Sequence, residues 1–275
     1  MTDASDEEGD AELDGSNDDI AARPNEAGDP QSIVDAKVPS DIRKRFEVFS
    51  YRNAAVILSE SHSGLYRELL DCLRRLNITT QMMRTAGGNE SDIPKLFNAE
   101  LRNQGWYETK IEGDLLVRLL WKEKVGENKS GKAIYKQQTT KITRPNYIDG
   151  HKIDYVKSRV AFDLEWNSKD QTFDRDLYAF NAFSQCGAID VGVLVTRGTS
   201  LNPLLRKLGP ALTKTGEIEH KRSGAVRMSH EKYGASTTWM GKLLYRLNAG
   251  RNGSCPVLAL GITPNCISDW SQEDA

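Results

Sequence analysis

The alternation of apolar and polar positions predicts a series of strands between residues 45 and 263. Apolar runs rich in β-branched and aromatic residues, bounded by turn-forming residues, are typical of strands. The predicted strands are RFEVFSY (45–51), YETKI (107–111), LLVRLLW (115–121), the run from 153 to 166, AIDVGVLVT (188–196) and CPVLALGIT (255–263). A turn at 112–114 would separate the second and third strands. Residues 123–146, polar and rich in lysine, are expected to form a long connection or insertion.

Apolar residues at helical spacing predict four helices between these strands. They are 63–77 with Ser63 as N-cap, 91–106 with Ser91 as N-cap and Gly105 as stop, 172–187 ending at Gly187, and 236–250 capped by Ser236 or Thr237 and ending at Gly250. Residues 197–233 are expected to be loop-like. Strands interleaved with helices predict an α/β (α+β) fold with a central mixed β-sheet flanked by helices.

Charge divides the chain into an acidic beginning and a basic body. Residues 1–30 contain eleven acidic residues and one basic residue, and they have almost no apolar content. We therefore expect residues 1–40 to be a disordered acidic tail, 41–268 to be one folded domain, and 269–275 to be a C-terminal tail. Outside residues 1–30 the chain has 36 Lys and Arg against 28 Asp and Glu, a net charge of +8 that suits a polyanionic partner.

Cysteine usage and hydropathy bear on the compartment. The four cysteines are widely spaced and form no CxxC motif, which favours reduced thiols over a zinc site. No secretory signal pattern is visible, and no apolar run approaches the ~18 residues that a membrane-spanning helix needs. We expect a cytoplasmic protein without a membrane partner.

Two carboxylates share one face of the strand in IDYVKSRVAFDLEWNSKD (153–170). Side chains alternate along a strand, so Asp163 and Glu165 lie on the same face. A turn near Lys157 would pair Asp154 with a position within one residue of Asp163. Three clustered carboxylates repel each other unless a cation joins them, and oxygen-only ligands suit Mg²⁺. The pattern predicts a magnesium site for metal-assisted hydrolysis at Asp154, Asp163 and Glu165.

A solvent-facing alternative remains open for this strand. Carboxylates at a sheet edge often face water, and Lys157 and Arg159 would then form ordinary ion pairs with Asp163 and Glu165. Spacing alone does not decide between a surface ion-pair cluster and a metal site.

The order of several motifs resembles one nuclease family. DYVKSRVAFDLEW resembles the catalytic hairpin of the BglII/BstYI family of type II restriction endonucleases, within the PD-(D/E)XK superfamily. LFNAELRNQGWYE, IDVGVLV, GRNGSCPVLALGITP and FEVFSYRNA resemble other segments of the same family, in the same order, over about residues 45–265. The resemblance implies a restriction-endonuclease-like core and Mg²⁺-dependent hydrolysis of double-stranded DNA that leaves 5′-phosphate ends.

The resemblance also implies roles for individual residues. Asp154 and Asp163 would be the two metal-binding acids, and Glu165 stands where the superfamily usually has a lysine, which leaves open what orients the attacking water. Asn167 is a candidate for helping through a hydrogen bond or for ending the strand. Relatives often use an acid from the preceding helix, for which Glu100, with Glu90 behind it, is the candidate; an ordinary solvated role is open for both.

DNA contacts are expected from the basic residues outside the hairpin. The candidates are Lys169, Arg175, Lys221, Arg222 and Arg227, within a set of loop cations that also includes Arg197, Arg206, Lys207, Lys214 and Lys232. Lys169 and Arg175 are candidates for phosphate contacts, and the fork of Arg222 or Arg227 suits a guanine. Each is equally compatible with a solvated surface cation.

The resemblance further implies a homodimer that cuts both strands of a GATC-centred palindrome with 5′ overhangs, and a cognate DNA methyltransferase that acts on the same site. Two alternatives remain at this point. One is another PD-(D/E)XK nuclease with a repair or structure-specific role, and the other is a non-catalytic DNA-binding relative.

Overall fold

A computed structural model describes residues 27–85, 91–234 and 236–270. These residues fall into two compact units, one formed by the chain up to Glu108 and from Ile153 onward, the other by Thr109–Lys152. We call the first unit the core and the second the arm. No helix in the described ranges is long and apolar enough to cross a membrane.

A six-stranded mixed sheet is the centre of the described fold, with strand order β1-β6-β5-β4-β3-β2. The strands are β1 (Phe46–Tyr51), β2 (Tyr107–Glu127), β3 (Ala133–Lys157), β4 (Val160–Glu165), β5 (Val191–Arg197) and β6 (Val257–Ile262). Strands β4, β5 and β6 are parallel, whereas β1 pairs antiparallel with β6 and β3 pairs antiparallel with β4. The predicted mixed sheet with flanking helices is therefore confirmed.

The described α-helices flank this sheet. They are α1 (Gln31–Lys37), α2 (Ser40–Arg45), α3 (Ala54–Val56), α4 (Ser63–Arg75), α5 (Thr80–Arg84), α6 (Asp92–Leu101), α7 (Thr172–Gln185), α8 (Leu201–Lys207) and α9 (Met240–Asn248). One π-helical turn, Ile57–Ser61, leads into α4. Gly105, Gly187 and Gly250 have positive φ angles just after helices, as the sequence predicted for these stops.

The alternation in β4 sends its side chains to two different layers. Phe162 packs against Phe97 of α6 with ring centroids 5.6 Å apart, and Leu164 and Trp166 belong to the same buried cluster. Asp163 and Glu165 lie on the opposite face. Their face is covered by α7, because a Cβ on Gly192, which pairs with Ala161 on that face, would lie 2.4 Å from the Phe180 ring.

The boundary predicted at residue 40 is wrong. Residues 31–40 are folded, since Val34 and Val38 are each 1 % exposed and the Lys37 carbonyl accepts a hydrogen bond from the Tyr66 hydroxyl. A seven-residue helix, with Val34 inside it and Val38 just after it, is enough to join the core, although the charged sequence before it suggested a tail. Residues 1–26 of the predicted tail lie outside the described residues.

The C-terminal boundary also extends further than predicted. Asp269 accepts hydrogen bonds from the N–H and the hydroxyl of Thr80, and Trp270 packs against the core. The remaining residues of this predicted tail, 271–275, lie outside the described part of the chain.

The arm differs most from the sequence prediction. Strand β2 runs without interruption through the turn expected at 112–114, and β3 occupies most of the segment expected to be a polar connection. Asn128–Lys132 forms the hairpin loop, with Gly131 in the left-handed conformation that closes a three-residue loop.

Two smaller differences concern helices. The loop-like region after β5 contains α8, whose Leu201, Leu204 and Leu205 are buried. Helix α9 begins at Met240, later than the predicted caps Ser236 and Thr237.

The four cysteines are free thiols. Cys72, Cys255 and Cys266 are buried and Cys186 is exposed. Burial raises the pKa of Cys72 and of Cys255 to about 12 and also raises the pKa of Cys266.

Candidate active site at the β3–β4 hairpin

The tight turn between β3 and β4 sets the register of the candidate site. Ser158 has a φ of 52°, and the strands pair Lys157 with Val160 and Tyr155 with Phe162. Continuing this register places Asp154 opposite Asp163. The turn predicted from the sequence near Lys157 and Ser158 is confirmed.

Beside the Asp154–Asp163 pair, side-chain carboxylates accept hydrogen bonds from the backbone N–H groups of the opposite strand. The Asp154 N–H donates to Oδ1 of Asp163 at 2.8 Å, and the Leu164 N–H donates to Oδ2 of Asp154 at 3.2 Å. Each acid therefore fixes the backbone of the opposite strand. This reciprocal arrangement holds the two carboxyl groups at the same end of the hairpin.

Asp176, which the sequence analysis did not consider, is a fourth acid at this place. It lies on α7 with 1 % of its surface exposed, and it accepts a hydrogen bond from the Arg175 Nη2 at 3.1 Å. It occupies the apolar face that also carries Phe173, Leu177 and Phe180. A carboxylate within an apolar helical stripe was the signal that could have identified it.

The acids raise one another's pKa. Burial, first of all, raises the pKa of Glu165 to about 8, and the negative charge of Asp176 adds to this effect. Burial together with Asp176 and Asp154 raises the pKa of Asp163 well above its usual range. The pKa of Asp154 is also raised, mainly by burial. These shifts mean that negative charge is costly at the hairpin unless a cation compensates it.

Arg175 brings a positive charge to this cluster. Its Nη2 lies 3.7 Å from Oε1 of Glu165. Burial acts to lower the pKa of Arg175, but Asp176, Glu165 and Asp163 raise it, and the net shift is upward. Arg175 thus supplies positive charge beside Glu165, the residue that stands where the resemblance implies a lysine.

The carboxylates fit a hard divalent cation by their chemistry. Oδ2 of Asp163 and Oε2 of Glu165 are buried and have no hydrogen-bond partner in the described part of the protein. Buried carboxylate oxygens without partners are costly and suit a cation. Within the described ranges, no three Asp, Glu, His or Cys side chains are grouped closely enough to hold one ion. This differs from the predicted site, in which Glu165 was a third ligand beside Asp154 and Asp163. The paired Asp154 and Asp163 match the one or two carboxylates with which Mg²⁺ is usually bound.

The other predicted catalytic residues are engaged elsewhere. Glu100 accepts a hydrogen bond from Arg75 of α4 at 2.6 Å, an ion pair that gives it a structural role. The Asn167 amide donates to the Lys232 carbonyl at 3.1 Å and ties the end of β4 to the loop before α9. Glu90 lies outside the described residues.

The predicted DNA contacts separate into engaged and available cations. Lys221 pairs with Glu231 at 2.7 Å and Arg227 pairs with Glu219 at 3.0 Å. Lys169 is exposed at the approach to α7, and Arg222 is exposed in the turn that Lys221 and Gly224 close.

Arg197 is not a surface cation, and its inclusion among the loop cations is corrected. It is 1 % exposed, its Nε donates to the carbonyls of Trp166 and Thr238, and its guanidinium lies 4.9 Å from the Tyr233 ring centroid. Burial lowers its pKa to about 10. Arg197 connects β4, β5 and the loop before α9 in the interior.

Comparison with known proteins places these features in a wider group. The family model described as restriction endonuclease BglII/BglIII matches residues 46–262, which include the β3–β4 hairpin and the whole arm. No curated protein matches the chain.

Proposed function

Because the chain belongs to the BglII/BglIII restriction endonuclease family, we propose that it cleaves double-stranded DNA at a GATC-centred palindrome by Mg²⁺-dependent hydrolysis that leaves 5′-phosphate ends. Membership makes the protein a type II restriction endonuclease, a DNA-binding phosphodiester hydrolase. The observation that carries the proposal is the reciprocal hydrogen bonding of Asp154 and Asp163 within the matched range.

Each residue of the hairpin has a part in this proposal. Asp154 and Asp163 would hold the magnesium ion, whose bound form supplies Lewis-acid activation of the phosphate and stabilises the leaving oxygen. Glu165 would accept a proton at Oε2 from the attacking water; because burial raises its pKa to about 8, a bound cation nearby would be needed to favour its ionised form. Arg175 would keep Glu165 oriented and supply the positive charge that a lysine provides in the superfamily.

The finer assignments come from the family resemblance. A palindromic target requires two equivalent sites, which supports a homodimer with one site per protomer. A cognate methyltransferase would protect the host sequence. Lys169 and Arg222 are the best placed of the predicted DNA contacts because both are exposed and, within the described ranges, neither forms an ion pair, unlike Arg175, Lys221 and Arg227.

The test is a Mg²⁺-dependent digest of sequenced genomic DNA with all cut ends mapped. We expect cuts at one palindrome containing GATC, with 5′ overhangs. Cuts that follow DNA structure instead of sequence would indicate a repair-type nuclease, and an absence of cutting would indicate a non-catalytic relative. Either result contradicts the proposal.

Variants of the two hairpin aspartates test whether DNA cleavage takes place at the hairpin. Asp154→Ala and Asp163→Ala should each reduce cleavage by a factor of about 10³ or more, since each removes a metal-binding carboxylate, while DNA binding stays within about threefold of wild type. Asp71→Ala, which removes a half-exposed acid paired with Arg74 on α4, is the matched control and should cut normally. If either hairpin variant cuts DNA at the wild-type rate, the substituted residue is not part of the active site.

A further inference from the structure

Asp176 is a buried acid of α7 to which the hairpin chemistry assigns no part. Only 1 % of its surface is exposed, and the apolar residues on the same side of the helix are fully buried: Phe173, Leu177 and Phe180. After burial, the charge of Asp176 is the largest cause that raises the pKa of Glu165 and of Asp163. Asp176 therefore makes negative charge in the cluster more costly unless a cation compensates it.

Arg175 supplies this compensation through a contact that requires a particular side-chain path. Successive residues of a helix point about 100° apart, so neighbours in sequence do not normally face each other. The guanidinium of Arg175 nevertheless reaches Asp176, because Nε donates to Oδ1 at 3.2 Å and Nη2 donates to the same oxygen at 3.1 Å. The arginine side chain thus bends back toward the buried side of α7 instead of extending into solvent.

The same contact places the guanidinium beside Glu165. The Nη2 that binds Asp176 lies 3.7 Å from Oε1 of Glu165. The Arg175 side chain is 56 % exposed, so packing alone does not fix its conformation. Holding a long exposed side chain in one geometry costs conformational entropy, and the two hydrogen bonds to a buried carboxylate offset this cost.

We propose that Asp176 is a positioning residue that holds the Arg175 guanidinium against Glu165 and so keeps this carboxyl group oriented for the attacking water. The inference rests on the proposed function, in which Glu165 accepts a proton from water and Arg175 supplies positive charge. Oδ1 of Asp176 accepts two N–H groups of Arg175, an arrangement that suits an anchor for the arginine better than a metal ligand.

Three substitutions in the full-length protein test this role. Asp176→Asn removes the charge but keeps the shape and one oxygen acceptor, and Arg175→Gln removes the guanidinium. Asp174→Asn is the matched control, since it makes the same change two residues earlier on α7, at an acid that pairs with Arg246 at 3.0 Å and with Arg251. Thermal melting in chelator checks that each protein is folded.

The first measurement is the single-turnover cleavage rate of a duplex that the wild type cuts, at a fixed Mg²⁺ concentration, with binding of that duplex measured without metal. Asp176→Asn should cut about tenfold or more slowly, a loss within the range of coupling between contacting residues, and should bind within about twofold of wild type. The double variant should cut no more slowly than Arg175→Gln alone, because Asp176 acts through Arg175. Asp174→Asn should cut and bind like wild type.

Three results would overturn the inference. Cleavage by Asp176→Asn at the wild-type rate would show that the anchor is not needed. A double variant whose loss is the product of the two single losses would show that Asp176 acts independently of Arg175, as a purely structural residue would. Recovery of the Asp176→Asn rate when the Mg²⁺ concentration is raised about tenfold would identify Asp176 as a metal ligand instead.

Melting in chelator adds a test that does not depend on cleavage. Arg175→Gln should lower the melting temperature less in the Asp176→Asn background than in wild type, because the contact is already weakened there. Equal decreases would contradict the contact. A wild-type protein that cuts no duplex would remove the proposed function and this inference with it, whereas an active wild type with an equally active Asp176→Asn would remove this inference alone.

Discussion

Strand β4 and the arm both carry charged side chains, but they do so in opposite environments. In β4 every residue is buried, including Asp163 and Glu165, and burial raises the pKa of both carboxyls. In the arm, both faces of the ladder between residues 118 and 137 are exposed, as are the side chains of Lys122 and Lys136. Charge that is costly to bury marks a chemical site, whereas exposed charge is solvated and costs little.

The largest expected difference between the two regions is in packing. Trp166 is 3 % exposed and contacts Tyr233 with ring centroids 6.1 Å apart, so Trp166→Ala should lower the free energy of unfolding by about 3–5 kcal/mol. Trp121→Ala, in the arm, should change it by less than about 0.5 kcal/mol because that side chain is exposed. Urea unfolding of both variants measures this difference. Equal losses would mean that the Trp121 side chain is buried in solution.

The second comparison concerns pH. The pKa of Glu165 is raised from 4.5 to about 8, so its protonated form favours the folded state and stability should fall as pH rises through this range in the absence of metal. Glu165→Gln should therefore be more stable than wild type at pH 9 by about 2 kcal/mol or more, with little difference at pH 4. Thermal melting in chelator at both pH values gives the result.

The arm supplies the control for this pH effect. Glu123 is exposed and accepts a hydrogen bond from Gln138, so Glu123→Gln should change the free energy of unfolding by less than about 0.5 kcal/mol. A Glu165→Gln variant whose stability difference from wild type is the same at both pH values would contradict the buried-charge interpretation of the hairpin.

The smallest expected difference in stability between the two regions comes from adding a methyl group at a glycine. A Cβ at Gly192 of β5 would lie 2.4 Å from Phe180, so Gly192→Ala should cost about 1–3 kcal/mol through overpacking. A methyl group added at Gly126 of the arm would meet no atom within 4 Å, and Gly126→Ala should be neutral or slightly stabilising. Differential scanning calorimetry compares the two, and a neutral Gly192→Ala would show that α7 can move away from β5.

Much of the core was predictable because burial leaves a pattern in the sequence. The continuous apolar runs of β5 and β6 and the apolar face of α7 appear in the structure where the spacing placed them. The opposition of Asp154 and Asp163 followed from one turn and from strand alternation. These features depend on local rules that act over a few residues.

The errors occurred where the deciding contacts lie far away in the sequence or where no face is buried. The arm has two exposed faces, so its strands lack the apolar-polar alternation that marks a half-buried strand. The burial of Arg197 depends on the carbonyls of Trp166 and Thr238, 31 and 41 residues away. The ion pair that engages Glu100 depends on Arg75, on a different helix.

The cysteines provide a practical consequence of the fold. A thiol reacts as its thiolate, and the three buried thiols are both shielded and held protonated by their raised pKa. Cys186 is exposed directly after the last residue of α7, the helix that carries Arg175 and Asp176. A maleimide fluorophore should therefore attach to the wild-type chain at this single position and report on that helix without any engineered mutation.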